Sequence, residues 1–144
     1  MFYYVCFLSI VDIISVDPSK VTITGVPTDL VPEGTSVTVV CTTTEGNPVP
    51  TITWVRDSQA VPVDTDLESV TNTQTDGSDY NGKVRLSTLQ IQPDRSLDGI
   101  QFKCEVEGTT LQESFTLRVA CLYFFHEYKI IVLMCFTIAL LKHL

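Results

Sequence analysis

Five cysteines, two histidines and a cluster of acids are the residues in this chain best equipped for chemistry. Nucleophilic catalysis of the Ser-His-Asp or Cys-His kind needs an imidazole to take a proton. Both histidines, His126 and His143, lie near the C-terminus, outside the polar part of the sequence. Zinc needs His or Cys ligands at short spacing, and the only cysteines in the polar part are Cys41 and Cys104, 63 residues apart. Gly82-Lys83-Val84 lacks the glycines and the hydroxyl residue of a phosphate loop. Residues 57–82 hold Asp57, Asp64, Asp66, Glu68, Asp76 and Asp79 with no Lys or Arg. Oxygen-rich segments of this kind can hold Ca²⁺. The spacing is not that of a calcium loop, and the segment reads as a solvated acidic connection. The expectation is a chain with no enzyme activity, no cofactor and no metal.

The elements around these residues are set by how charge and apolar residues segregate. The 144 residues carry nine basic and 17 acidic side chains, a net charge of −8, yet the mean hydropathy is +0.23. Residues 1–11 and 130–141 carry no charge, while residues 18–119 hold seven of the nine bases and 14 of the 17 acids. The acidic balance argues against a nucleic-acid partner, whose phosphates require Lys and Arg. It argues equally against docking on anionic lipid through a basic patch.

Within the polar part, apolar residues recur in twos. Val37, Val39 and Cys41 share one face; so do Ile52 and Trp54, Leu89 and Ile91, and Phe102, Cys104 and Val106. Phe115, Leu117 and Val119 continue the pattern over 114–120, and 21–23 adds a short first strand. Period two with one polar face means half-buried strands. Gly and Pro punctuate them at Pro32-Glu33-Gly34, Gly46-Asn47-Pro48 and Gly108. Many short antiparallel strands predict an all-β sandwich or barrel. Cys41 and Cys104 both point inward, with Trp54 inward 13 residues after the first. That arrangement suits an inter-sheet bridge with its packing Trp. The alternative is a pair of buried free thiols, which an oxidising compartment disfavours.

The stretch Cys41-TTTEGNPVPTIT-Trp54 resembles the B–C region of immunoglobulin-superfamily domains of the I or C2 type, and Ser87-TLQIQPDRSLDGIQFK-Cys104 resembles their E–F region. The resemblance covers about 18–119 and implies an immunoglobulin-like antiparallel β-sandwich with one inter-sheet disulfide and Trp54, Leu89 and Phe102 in the core. Two residues depart from the pattern. Phe102 stands where the family usually has Tyr two residues before the second Cys, so the tyrosine-corner hydrogen bond is absent. Ile100 stands where a small residue is common. Asp98 matches the family's acid before strand F and is expected to pair with Lys83 or Arg85.

The ends carry separate expectations. Residues 1–17 read as a signal peptide with an uncharged core but no Lys or Arg before Lys20. Residues 120–144 form an apolar tail. Its clean run, 130–141, is shorter than the roughly 20 residues of a spanning helix. Extension back to Leu122 reaches that length and places His126, Glu127 and Lys129 near one end, where charged heads can snorkel. The tail is read as a single-pass membrane anchor, with an accidental apolar tail as the alternative. Cys121 and Cys135, with an odd cysteine count, leave room for an intermolecular bridge. No N-x-[ST] glycosylation site occurs.

Similar domains build adhesion molecules and receptors. The resemblance implies a non-enzymatic extracellular module that recognises another protein, in a homophilic or a heterophilic contact, at the cell membrane. Alternatives are a soluble secreted binder and a fragment of a longer multi-domain ectodomain. The candidate contact surface is the outward face of strands C, F and G: Thr53, Val55, Gln101, Lys103, Glu105 and Thr116. The B–C loop from Glu45 to Pro50 is the second candidate, because its prolines lower the ordering cost of binding.

Overall fold

Alternation in the sequence becomes sheet wherever one side of a strand can be dried. The computed structural model describes residues 15–61, 68–79 and 81–120, together with the backbone of 122–123 and 132–133. In chain order the strands are β1 (Val21–Thr24), β2 (Val31–Pro32), β3 (Val37–Thr43), β4 (Ile52–Arg56), β5 (Gln59–Ala60) and β6 (Glu68–Asp76). They continue with β7 (Lys83–Ile91), β8 (Gln101–Val106), β9 (Gln112–Thr116), β10 (Val119–Ala120), β11 (Leu122–Tyr123) and β12 (Val132–Leu133).

Two four-stranded antiparallel sheets, ordered β1-β3-β7-β6 and β5-β4-β8-β9, face one another. Their inner faces carry the alternating residues: Val37, Val39, Cys41, Leu89 and Ile91 from one sheet, Ile52, Trp54, Phe102, Cys104, Val106 and Phe115 from the other, all buried. Burial of apolar side chains at ~25 cal/mol per Å² is what holds the sheets together. Cys41 of β3 and Cys104 of β8 are joined by a disulfide across the two layers. The structure is therefore the antiparallel sandwich that the sequence implied, with its bridge in place.

Three strands differ from expectation. First, β7 begins at Lys83, four residues before the alternation becomes visible at Ser87. Second, the acidic segment 57–82 is not a loop throughout. It contains β5 and the nine-residue strand β6, paired with β7 from Glu68↔Ile91 to Asp76↔Lys83. β6 shows no alternation because Thr71 to Asp76 are exposed on both sides. Third, the expected strand 114–120 is broken at Leu117. Leu117 exchanges hydrogen bonds with Gly99 and Ile100, and Val119–Ala120 then pairs in parallel with β2. Phe115, Leu117 and Val119 stay buried across the break.

Asp98 is also placed differently. Its Oδ1 accepts the Val119 N–H at 2.8 Å and lies 3.7 Å from the Arg118 guanidinium. Lys83 instead pairs with Asp76, and Arg85 donates through Nε to the Pro50 carbonyl at 2.9 Å. The acid thus fixes the switch from β9 to β10, because its nearest donors lie there and not on β7.

A 3-10 turn at Arg95–Leu97 links the sheets, capped by Asp94, whose carboxylate accepts the Ser96 N–H at 2.8 Å. That bond holds the Asp94 carboxyl below its ordinary value. At the opposite end, Glu45 accepts the backbone N–H groups of Asp79 and Gly82 at 3.0–3.1 Å and ties the β3–β4 connection to the β6–β7 turn. A Cβ at Gly82 would lie 2.4 Å from Glu45 Cγ, so this contact requires glycine.

Among the described residues of the tail, Leu122–Tyr123 pairs antiparallel with Val132–Leu133. No helix among the described residues is long and apolar enough to cross a membrane. The signal-peptide reading falls almost wholly on residues 1–14, and the anchor reading largely on 121–144. Both lie outside the described residues apart from those short pieces, as do Cys6, Cys121 and Cys135.

Candidate recognition face

The outer face of β4, β8 and β9 is built by the same alternation that fills the core. With Trp54, Cys104 and Phe115 turned inward, the residues between them must point out. The registers set them opposite one another: Thr53 against Glu105, Val55 against Lys103 and Gln101 against Thr116. All six residues of the expected face therefore lie on one sheet surface. Gln101 and Thr116 are exposed, and Thr53, Val55, Lys103 and Glu105 are half-buried.

These side chains hold one another. Lys103 Nζ lies 3.0 Å from Glu105 Oε1, Thr53 Oγ1 donates to Glu107 Oε1 at 2.9 Å, and Gln101 Nε2 donates to Ser114 Oγ at 3.4 Å. The Lys103–Glu105 pair lies along β8 itself, while the other two bonds reach across strands, where such pairs each contribute about 0.2–1 kcal/mol. Where the face meets the β8–β9 turn it opens into a groove of about 590 Å³ lined by Thr53, Glu105, Glu107, Thr109 and Leu111.

Beneath the face the support is rigid. Phe102 and Phe115 stack at 5.4 Å, and Trp54 meets Phe115 edge-on at 6.4 Å. Phe102 is fully buried, so the loss of a tyrosine hydroxyl there leaves no polar atom to satisfy. The Trp54 indole N–H donates to Ser87 Oγ at 3.1 Å across the two sheets. Leu89 is fully buried beside it on β7.

Three functional supports were missed in the sequence. Ser87 stands at an inward position of its strand, and that break in an apolar row was a visible signal. The Arg56–Glu68 pair joins β4 to β6 at 2.8 Å, with the Glu68 side chain almost wholly buried. Nothing in the sequence links those two, because β6 itself was not legible. Glu113 Oε2 accepts the Ile23 N–H at 2.6 Å and so closes the β1 edge against β9.

The acids of 57–82 do not converge. Glu68 holds Arg56, Asp76 holds Lys83, and Asp57 sits in a turn between β4 and β5. Asp64 and Asp66 lie outside the described residues. Among the described residues no three His, Cys, Asp or Glu side chains are grouped to hold a metal ion. The second expected contact, the B–C loop, places Asn47 against Val16 and Gly46 against Lys83 through paired backbone hydrogen bonds.

The architecture has counterparts among solved structures. It superposes on the crystal structure of Rst D1-D2 with a TM-score of 0.58 and 23% identity, over 73% of this chain and 49% of that one. It superposes on the full ectodomain of mouse nectin-like molecule 4 with a TM-score of 0.52 and 19% identity, over 74% and 34%. The chain thus spans half or less of the length of either. No curated protein matches it significantly. Residues 16–114 match the CD80-like C2-set immunoglobulin domain, more than half of the sequence. With the two sheets, the Cys41–Cys104 bridge and the Trp54 that packs between them, this chain belongs to the CD80-like C2-set immunoglobulin domain family.

Proposed function

We propose that this chain is a non-enzymatic extracellular recognition module that contacts another protein through the outer face of β4, β8 and β9. One observation carries the reading. That face presents fixed polar and charged groups, the Lys103–Glu105 pair above all, while the outer face of the other sheet carries no charge over Thr22, Thr38, Val40, Thr42, Leu86, Thr88 and Gln90. Charge arranged on a rigid sheet selects and orients a partner, and an uncharged face does so weakly. The disulfide supports an oxidising, extracellular setting. The likeness to Rst D1-D2 and to the nectin-like molecule 4 ectodomain supports the same class. On this reading the role is cell adhesion or reception, and the apolar tail is the anchor.

The test is localisation of the full chain in animal cells, with an epitope tag inserted within residues 62–67. Tag on intact cells and none in the medium is the expected result. Tag in the medium would remove the anchor and leave a secreted binder. Tag inside the cell alone would overturn the extracellular reading.

A further inference from the structure

Exposed sheet edges carry unpaired N–H and C=O groups and normally carry protection against pairing with other chains. Three of the four edges here are managed. β5 is two residues long. β1 has its Ile23 N–H taken by the Glu113 carboxylate. β9 runs directly into the segment that β2 covers through the Val31 N–H to Arg118 carbonyl bond.

The fourth edge, β6, is unlike them. It is nine residues long and, among the described residues, pairs on one side only, with β7. Its residues 69–75, Ser-Val-Thr-Asn-Thr-Gln-Thr, contain no charge, no Pro and no Gly. From Thr71 onward they are exposed. A chain of net charge −8 repels its own copies, yet this edge presents no charge to oppose contact.

The sequence of the edge is also self-complementary. In an antiparallel pair with a two-fold axis at Asn72, Thr71 opposes Thr73 of the second copy, Val70 opposes Gln74, and Ser69 opposes Thr75. Hydroxyl and β-branched residues facing one another are favourable cross-strand partners. At the ends of this register Glu68 meets Asp76, and each already holds a cation, Arg56 and Lys83 respectively. We propose that β6 pairs antiparallel with β6 of a second copy about Asn72, joining two four-stranded sheets into one of eight. The contact is isologous and closed, since one two-fold axis satisfies both edges. It lies on the other sheet from the β4–β8–β9 face, so its outcome is independent of the recognition reading.

Residues directly opposed in an antiparallel pair lie about 4.5–5.5 Å apart, within the roughly 4.4–6.8 Å Cα separation of a disulfide. The full chain is expressed in animal cells with Cys6, Cys121 and Cys135 replaced by Ser and with Asn72→Cys added. A second form carries Ser36→Cys, an exposed position away from β6. The non-reducing gel is expected to show a dimer band several-fold stronger for Asn72→Cys than for Ser36→Cys. Adding Thr71→Lys and Thr73→Lys is expected to return it to the Ser36→Cys level. The register is read separately by coexpressing Val70→Cys and Gln74→Cys chains under different tags, where the mixed dimer exceeds both homodimers. Dimer at the Ser36→Cys level in both experiments overturns the proposal. So does a mixed disulfide with a protein of another mass, or a ladder above the dimer.

Discussion

The two sheets share one core and present opposite outer surfaces. On β4, β8 and β9 the inward Ile52, Trp54, Phe102, Cys104, Val106 and Phe115 are buried, and outward Lys103, Glu105, Thr53 and Gln101 each hold a polar neighbour on the same face. On β6 and the first half of β7 neither side is fully dry. The strand there is held by its backbone ladder and by one ion pair at each end, Arg56–Glu68 and Lys83–Asp76. The contrast teaches where rigidity comes from. A sheet with a buried side can hold polar groups in place for a partner. A strand that overhangs the core offers backbone instead of side chains.

That contrast can be broken from its strong side first. Trp54→Ala is expected to cost about 3–5 kcal/mol, through lost burial and the cavity left between the sheets. Denaturant unfolding of the oxidised full chain, followed by circular dichroism, reads the loss as a fall in midpoint. Arg56→Ala comes next, at about 2–3 kcal/mol, because it removes the cation that faces the buried Glu68 carboxylate. If that loss were near zero, the Arg56–Glu68 pair would not be what holds the start of β6. Asn72→Ala, on the exposed half of β6, is expected to change monomer stability by less than about 0.5 kcal/mol. A cost as large as that of Arg56→Ala would mean the overhang is a structural part of the core.

The smallest effect is that of acid. The hydrogen bond and charge of Lys83 hold Asp76 below its ordinary value of 3.8, and the Ser96 N–H does the same for Asp94. A carboxyl whose folded value is depressed binds fewer protons in the native state. Its contribution to stability is complete above the unfolded value and is lost as pH falls through the folded one. Both carboxyls are exposed, so a small drop in unfolding midpoint is expected between about pH 5 and about pH 3. Asp94→Asn is expected to reduce that drop, and a midpoint that rises on acidification would contradict the assignment.

The same contrast explains what could be read from the residues alone. Val37, Val39 and Cys41, or Phe102, Cys104 and Val106, betray their strands because one side of each is dry. The inward rows, the inward pair Cys41 and Cys104 and the six outward residues follow from that single rule. The choice of a sandwich over a barrel rests on the resemblance of 41–54 and 87–104. β6 left no such mark. Thr71, Asn72, Thr73 and Gln74 are polar whichever side they face, and the acids around them suggested a loop. The Asp98 contact was misplaced for a related reason. Spacing gives the side of a strand on which an acid sits, but not that the chain turns from β9 toward β2 just there and brings the Val119 N–H within reach.

The most direct test of the account compares the outer surfaces of the two sheets on living cells. A photo-cross-linking residue is placed in the full chain at Gln101, on the β4–β8–β9 face, and separately at Thr38, on the charge-free face of β3; both positions are exposed. A cross-linked protein partner is expected from Gln101 and none from Thr38. Cross-links from Thr38 with none from Gln101 would contradict that expectation.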